Sequence, residues 1–169
     1  KEREAATVGG RSAQEKWDEL LREAQTAYDA KDYLLAKQKL DEASALRQIP
    51  PDMRALYDGA TNKVAQLDAA TNLFKEGNYS DAIINLQTIL DQDPDNASAR
   101  KMLLDAHFNL GAVALRDTRL DEAAAHFNRV IEQNPNDELA VRSRDLALRY
   151  QDERPDLLFR IYTTYLPLR

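Results

Sequence analysis

Apolar residues recur along this chain at steps of three and four, the spacing that lines one face of an α-helix. Trp17, Leu20, Leu21, Ala24, Ala27 and Tyr28 form the first such face. Ser12 followed by Glu15 has the form of a capping box, in which two side chains satisfy the first free amides, so a helix is predicted from Ser12 to about Lys31. Asp32 or Tyr33 opens a second helix that stops before Pro50. Pro51 suits a first helical position, where its missing N–H is not needed, and starts a third helix to about Glu76. Ser80 opens a fourth, ended by Asp93-Pro94 because a residue before proline disfavours the helical region. Asn96 caps a fifth to about Asp117. A sixth covers Leu120 to Gln133, a seventh Asn136 to about Asp152, and Pro155 begins a short eighth. The pattern predicts an all-α fold of seven or eight helices.

The pattern also repeats. Tyr79, Ala82, Leu86, Ile89 and Pro94 are separated by three, four, three and five residues, and the same offsets from Leu120 give Ala123, Phe127, Val130 and Pro135. Tyr33, Ala36, Leu40 and Ala43 begin a third, more divergent copy that reaches Pro50-Pro51 late. Steps of three and four keep one helical face apolar, and the alanine in each copy lets the preceding helix approach closely. Repeated units that bury their apolar faces only against neighbours predict a helical-repeat solenoid, a surface for holding something and not a catalyst.

These residues resemble the tetratricopeptide repeat family, whose unit is two antiparallel helices. The resemblance is strongest from about Gln66 to Asp137, where Leu110-Gly111 and Ala114 also fall at family positions, and weaker from Trp17 to Pro51, where Ala24 and Ala27 take the close-contact places. Tyr33 to Tyr79 spans 46 residues and Tyr79 to Leu120 spans 41, against about 34 for the family unit. The surplus falls in the first helices, and the one between Pro94 and Thr118, with no breaker other than Gly111, is predicted to run roughly two turns longer than usual. The resemblance implies a concave surface lined by first helices, here by Leu21, Arg22, Gln25 and Tyr28, then Leu67, Asp68, Thr71 and Phe74, then Phe108, Asn109, Ala112 and Leu115. Some family members clamp a partner's C-terminal carboxylate with lysine and asparagine at such places. Of those residues only Asn109 is suggestive here, so the groove reads as apolar and aromatic.

Residues 155–169 form a separate feature. Leu157, Leu158, Ile161, Tyr162 and Tyr165 fall on one helical face, with Phe159 and Leu166 extending it. This segment is expected either to cap the last repeat or to dock, as an amphipathic helix, into another molecule or into the chain's own concave groove, with Leu158, Ile161, Tyr162 and Tyr165 as its cap or interface residues. Ile161 to Thr164 also carry strand propensity.

Composition narrows the function. The chain has 169 residues and 43% hydrophobic positions, with five glycines and six prolines, which suits one all-helical repeat domain over residues 12–154. Residues 1–11, polar and containing Gly9-Gly10, read as a flexible linker or the cut end of a larger protein, so a targeting or membrane segment could precede them. A net charge of −6 argues against nucleic acid as the main partner. The C-terminal arginines, Arg169 among them, are interleaved with acids and read as helix-surface charge. No run of about 20 apolar residues is present to enter a membrane. With no cysteine there is no disulfide framework or thiolate chemistry, which fits the cytoplasm, slightly favoured, and also a periplasmic protein.

His107 and His126 are 19 residues apart, the first expected in the core and the second on the outer surface, so no shared metal is expected. Phosphate-loop, GxSxG and HExxH motifs are lacking, and paired carboxylates such as Asp121 and Glu122 suit a helix start. The expectation is a non-enzymatic interaction module of a larger protein, without cofactor, holding a partner protein or peptide. The alternatives are a homodimer joined by the C-terminal segment and a regulatory domain holding a small molecule between long helices.

Overall fold

The computed structural model describes residues 2–169, with side chains from residue 13 onward. Among these residues there are eight helices and no strand. They are α1 (Glu2–Asp29), α2 (Tyr33–Leu46), α3 (Pro51–Lys75), α4 (Tyr79–Gln92), α5 (Ala97–Arg116), α6 (Leu120–Gln133), α7 (Glu138–Arg149) and α8 (Leu157–Tyr165). The fold is an all-α helical repeat. Second helices α2, α4 and α6 each have 14 residues, whereas first helices α3 and α5 have 25 and 20. The long repeat period therefore lies in the first helices.

Two ends differ from expectation. The first helix begins at Glu2, well before Ser12, and passes through Gly9-Gly10. Glycine weakens a helix without stopping it, so the Ser12 capping box is not the helix start. The seventh helix ends at Arg149, before Asp152, because Tyr150 turns out of it as the C-cap and buries its ring.

All three turns between first and second helices are built alike. The first helix ends in a residue with positive φ: Lys31 at 62°, Gly77 at 79° and Thr118 at 59°. In each turn that residue's N–H donates to the carbonyl three before it, and the next N–H to the carbonyl five before it. The pairs are Lys31 to Tyr28 with Asp32 to Ala27, Gly77 to Phe74 with Asn78 to Leu73, and Thr118 to Leu115 with Arg119 to Ala114. This is a Schellman stop, which satisfies the last free carbonyls of the helix. Asp32, Asn96, Asp137 and Asp156 then cap the following helices, accepting from Leu35, Ala99, Ala140 and Phe159 N–H. Turns this short fold consecutive helices back as antiparallel neighbours.

The chain divides into two compact units, residues 1–66 and 67–169, the boundary falling within α3. In the first unit Leu20, Ala24, Leu40, Ala43 and Ile49 form a core with Trp17, Leu21, Met53, Leu56 and Tyr57 packed on it. A second cluster of Ala27, Ala36 and Ala60 meets Tyr28, and a Cβ at Gly59 would come 2.6 Å from the Tyr28 hydroxyl. In the second unit Ala70, Ala82, Leu86, Ile89 and Ala99 join α3, α4 and α5. A further core around Phe108, Leu115, Phe127 and Val130 joins α5 through α8. Repeat alanines Ala36, Ala82 and Ala123 are all fully buried, as the close approach of paired helices requires. Gly111 serves the same approach, since a Cβ there would lie 2.9 Å from the Phe127 ring.

Candidate functional site

The site is built on α5. Phe108, Asn109, Ala112 and Leu115 stand one, four and seven residues along from the first, on one face of the helix, and all four are fully buried. What covers them includes the chain's own C-terminal segment. Asp156 caps α8, the helix lies against α5, and the chain then runs extended from Leu166. Phe159 meets the Tyr150 ring edge to face, with centroids 4.8 Å apart, and the Tyr162 hydroxyl is 2.9 Å from Ser143 Oγ.

Two α5 side chains hold this segment by its main chain. Arg116 Nε donates to the Thr163 carbonyl at 3.0 Å and Arg116 Nη2 to the Leu166 carbonyl at 2.5 Å. Asn109 makes a two-point pair with a single residue: Arg169 N donates to Asn109 Oδ1 at 2.8 Å, and Asn109 Nδ2 donates to the Arg169 oxygen at 3.0 Å. A buried amide with both its donor and acceptor engaged is well placed energetically, since either left alone would cost roughly 1–3 kcal/mol. The Arg169 guanidinium lies 3.7 Å from the centre of the Phe108 ring and forks onto Asp137, with nitrogen–oxygen distances of 2.6 and 2.7 Å. That guanidinium, helped by the Ala140 N–H, holds the Asp137 carboxyl below the usual carboxylate range, against the opposing effect of burial.

The other expected groove residues lie elsewhere. In the first unit Leu21 and Tyr28 are half-buried, Leu21 against the Leu40 core and Tyr28 edge to face with Tyr33 at 5.3 Å. In the second unit Leu67 and Phe74 are half-buried against the Ala82 and Leu86 core, and Thr71 donates to the Leu67 carbonyl at 2.8 Å. Thr71 Oγ1 also lies 3.8 Å from Met102 Sδ, across to α5. On α8 the buried face is not the one expected. Phe159, Thr163 and Leu166 point inward with Tyr162 half-buried, while Leu158, Ile161 and Tyr165 face out with Leu157. The reason is the Arg116 grip on the Thr163 and Leu166 carbonyls together with the Tyr150 ring, which fix the rotation of α8 about its axis.

Asp137, Arg116 and Arg169 were not expected at a site. Asp137 stood out only as the end of the Gln66 to Asp137 stretch, Arg169 only as helix-surface charge, and Arg116 not at all.

The two histidines also differ from expectation. His107 and His126 face each other across α5 and α6, with Nδ1 atoms 3.1 Å apart and ring centroids 5.4 Å apart. Both sit at the flank of the helix pair, where the outer position assigned to His126 and the inner one assigned to His107 converge. Burial pushes the His107 imidazole down to about 4, reinforced by His126, and burial lowers His126 too, against the pull of Glu122. Both rings are therefore neutral at neutral pH, one donating to the other. Among the described residues no group of three or more His, Cys, Asp or Glu could hold a metal ion, and no helix is long and apolar enough to cross a membrane.

Residues 67–138 match the family model of the tetratricopeptide repeat. The matched stretch runs from Leu67 in α3 through the start of α7. Repeats of this family generally act as non-catalytic scaffolds for protein–protein interaction. No curated protein and no solved structure matches the chain.

Proposed function

We propose that this chain is a protein-interaction module that receives an extended peptide on the α5 face of its second unit. The observation that carries this reading is the hold on Leu166 and Arg169: Arg116 and Asn109 bind main-chain atoms there, which any extended peptide in the same conformation would offer. Half-buried Leu67, Thr71 and Phe74 on α3 are further candidates to meet such a ligand. Buried Phe108, Ala112 and Leu115 supply the apolar floor. Leu21 and Tyr28 of the first unit remain candidates by their place in the repeat alone.

The test is a selection of displayed random peptides against the immobilised chain, followed by titration of the selected sequences. Binding that falls about tenfold or more in an Asn109→Ala variant of unchanged helicity supports the reading, the loss expected from two main-chain hydrogen bonds. No selected peptides, or equal binding to both chains, would overturn it.

A second reading is self-association. It rests on the outer ridge of α8, where Leu157, Leu158, Ile161 and Tyr165 are 71, 71, 47 and 80% exposed. Sedimentation equilibrium of the parent chain and of Ile161→Glu decides it: a mass that doubles with concentration in the parent alone favours a dimer.

A further inference from the structure

We infer that Asn109, Phe108 and Asp137 form an arginine-reading subsite for an extended Leu-x-x-Arg segment of a partner protein, for which the chain's own Leu166–Arg169 is the resident competitor. This deepens the peptide-receptor reading and rests on it.

The subsite reads two things. The Asn109 amide fixes the main chain of one residue at both its N–H and its oxygen, with no demand on that residue's side chain. Selection comes from what lies beside it. Asp137 presents two oxygens to two guanidinium nitrogens, a planar fork that lysine, a point charge with rotating donors, cannot reproduce. Its carboxylate is already oriented, because Oδ1 also caps α7 at the Ala140 N–H, 3.1 Å away. It is also largely shielded, with a side chain only 9% exposed, so the pair is less screened than a surface salt bridge. The Phe108 ring lies under the guanidinium at 3.7 Å and is itself held edge to face by Phe127, 5.4 Å away. Three residues earlier, Leu166 is buried in the same core, with its carbonyl on Arg116. Pro167 and Leu168 are exposed and are not read. The two side chains recognised are thus a leucine and, three residues on, an arginine.

Two features favour a partner segment over a permanent plug. The helix that delivers the resident segment leaves its larger apolar ridge in water, so it is held by fewer buried side chains than its composition allows. The net charge of −6 favours the approach of basic segments. A tethered competitor lowers apparent affinity by the fraction of time it occupies the site. Weakening the resident arginine must then strengthen binding in trans, whereas a merely structural tail would show no such gain.

The experiment titrates an acetylated, amidated Thr-Tyr-Leu-Pro-Leu-Arg peptide, fluorescently labelled, into the full chain and its variants. Arg169→Ala is expected to bind it at least about tenfold more tightly than the parent. The same peptide with lysine for arginine should lose about tenfold, and so should Arg169→Ala carrying Asp137→Asn, which keeps the cap on α7 and removes the charge. Arg169→Lys serves as the second vacating variant, since it retains the stem packing if Arg169→Ala loses helicity. Equal binding by parent and both vacated chains, or no preference for arginine over lysine, would overturn the inference. A parent chain whose mass doubles with concentration, and stays monomeric with Asp137→Asn, would assign the arginine to a second copy and overturn the partner assignment. If the displayed-peptide selection yields Asn109-dependent binders without a Leu-x-x-Arg pattern, this inference fails and the peptide-receptor reading stands. If it yields none, that reading fails first.

Discussion

At the scale of single residues, the three Schellman turns do the same job with unequal chemistry. Gly77 meets its positive φ without penalty, but Lys31 and Thr118 place a Cβ in the left-handed region. For an L-residue that conformation costs roughly 1–2 kcal/mol, and threonine, branched at Cβ, sits at the unfavourable end. Thr118 recovers little, since its hydroxyl donates only to the neighbouring Asp117 carbonyl at 2.7 Å. Thr118→Gly is therefore expected to stabilise the second unit by about 1 kcal/mol, the relief of strain exceeding the greater freedom of glycine in the unfolded chain. Urea unfolding of parent and variant measures this directly. A midpoint that falls, with an unchanged m-value, would show that the strain argument is wrong.

At the scale of elements, the α5–α6 contact contains a proton-sensitive joint. His107 and His126 both have lowered pKa values in the folded chain, His107 to about 4, from an ordinary 6.5. The unfolded state consequently binds more protons between about pH 4 and 6.5. Stability contributed by the neutral pair is complete above pH 6.5 and is lost as pH falls through that window. Glu122, 4.0 Å from His126 Nε2, softens the loss by favouring protonation, whereas Arg119 disfavours it at His126 and Arg129 at His107. Asp137 contributes in the same direction but below its ordinary 3.8, outside the histidine window. The melting temperature is expected to drop between pH 7 and 4.5, and to drop less in a His107→Gln, His126→Gln double variant. Parallel curves for the two chains would remove the histidines from the account. Neither partner of this joint was legible in the sequence, because 19 residues of separation gives no angle between rings on two helices. Periodicity did reveal the helices, the alanine contacts and the Asn96 cap, all set by local spacing. The family resemblance, and not periodicity, marked Phe108, Asn109, Ala112 and Leu115 as one face. Docking of residues 155–169 into the chain's own groove was only one of the alternatives the sequence offered, and local spacing could not choose it, because Arg169 reaches Asn109 and Asp137 across 60 and 32 residues. The rotation of α8 escaped for the same reason: Leu157, Leu158, Ile161 and Tyr165 make the richer apolar stripe, yet long-range bonds from Arg116 and the Tyr150 ring select the other.

At the scale of the whole molecule, the chain carries separate cores in residues 1–66 and 67–169, each closed by its own neighbouring helices. In repeat proteins stability is close to a sum of local and nearest-neighbour contributions, so a lesion should be felt where its contacts are and fade beyond them. Phe159 provides a sharp test because it is 2% exposed, lies in the α5–α8 core and belongs to the segment seated on the α5 face. Phe159→Ala is expected to cost about 3–5 kcal/mol through lost burial and the cavity left behind. Amide hydrogen exchange should then quicken across α5, α7 and α8 while α1 and α2 keep their protection. Leu40→Ala, at the centre of the first core, should give the reverse pattern. Exchange that quickens everywhere in both variants would mean the chain unfolds as one cooperative block. Local fading has a functional consequence: loosening confined to α5, α7 and α8 lets residues 166–169 exchange with a competing peptide while the first unit stays folded.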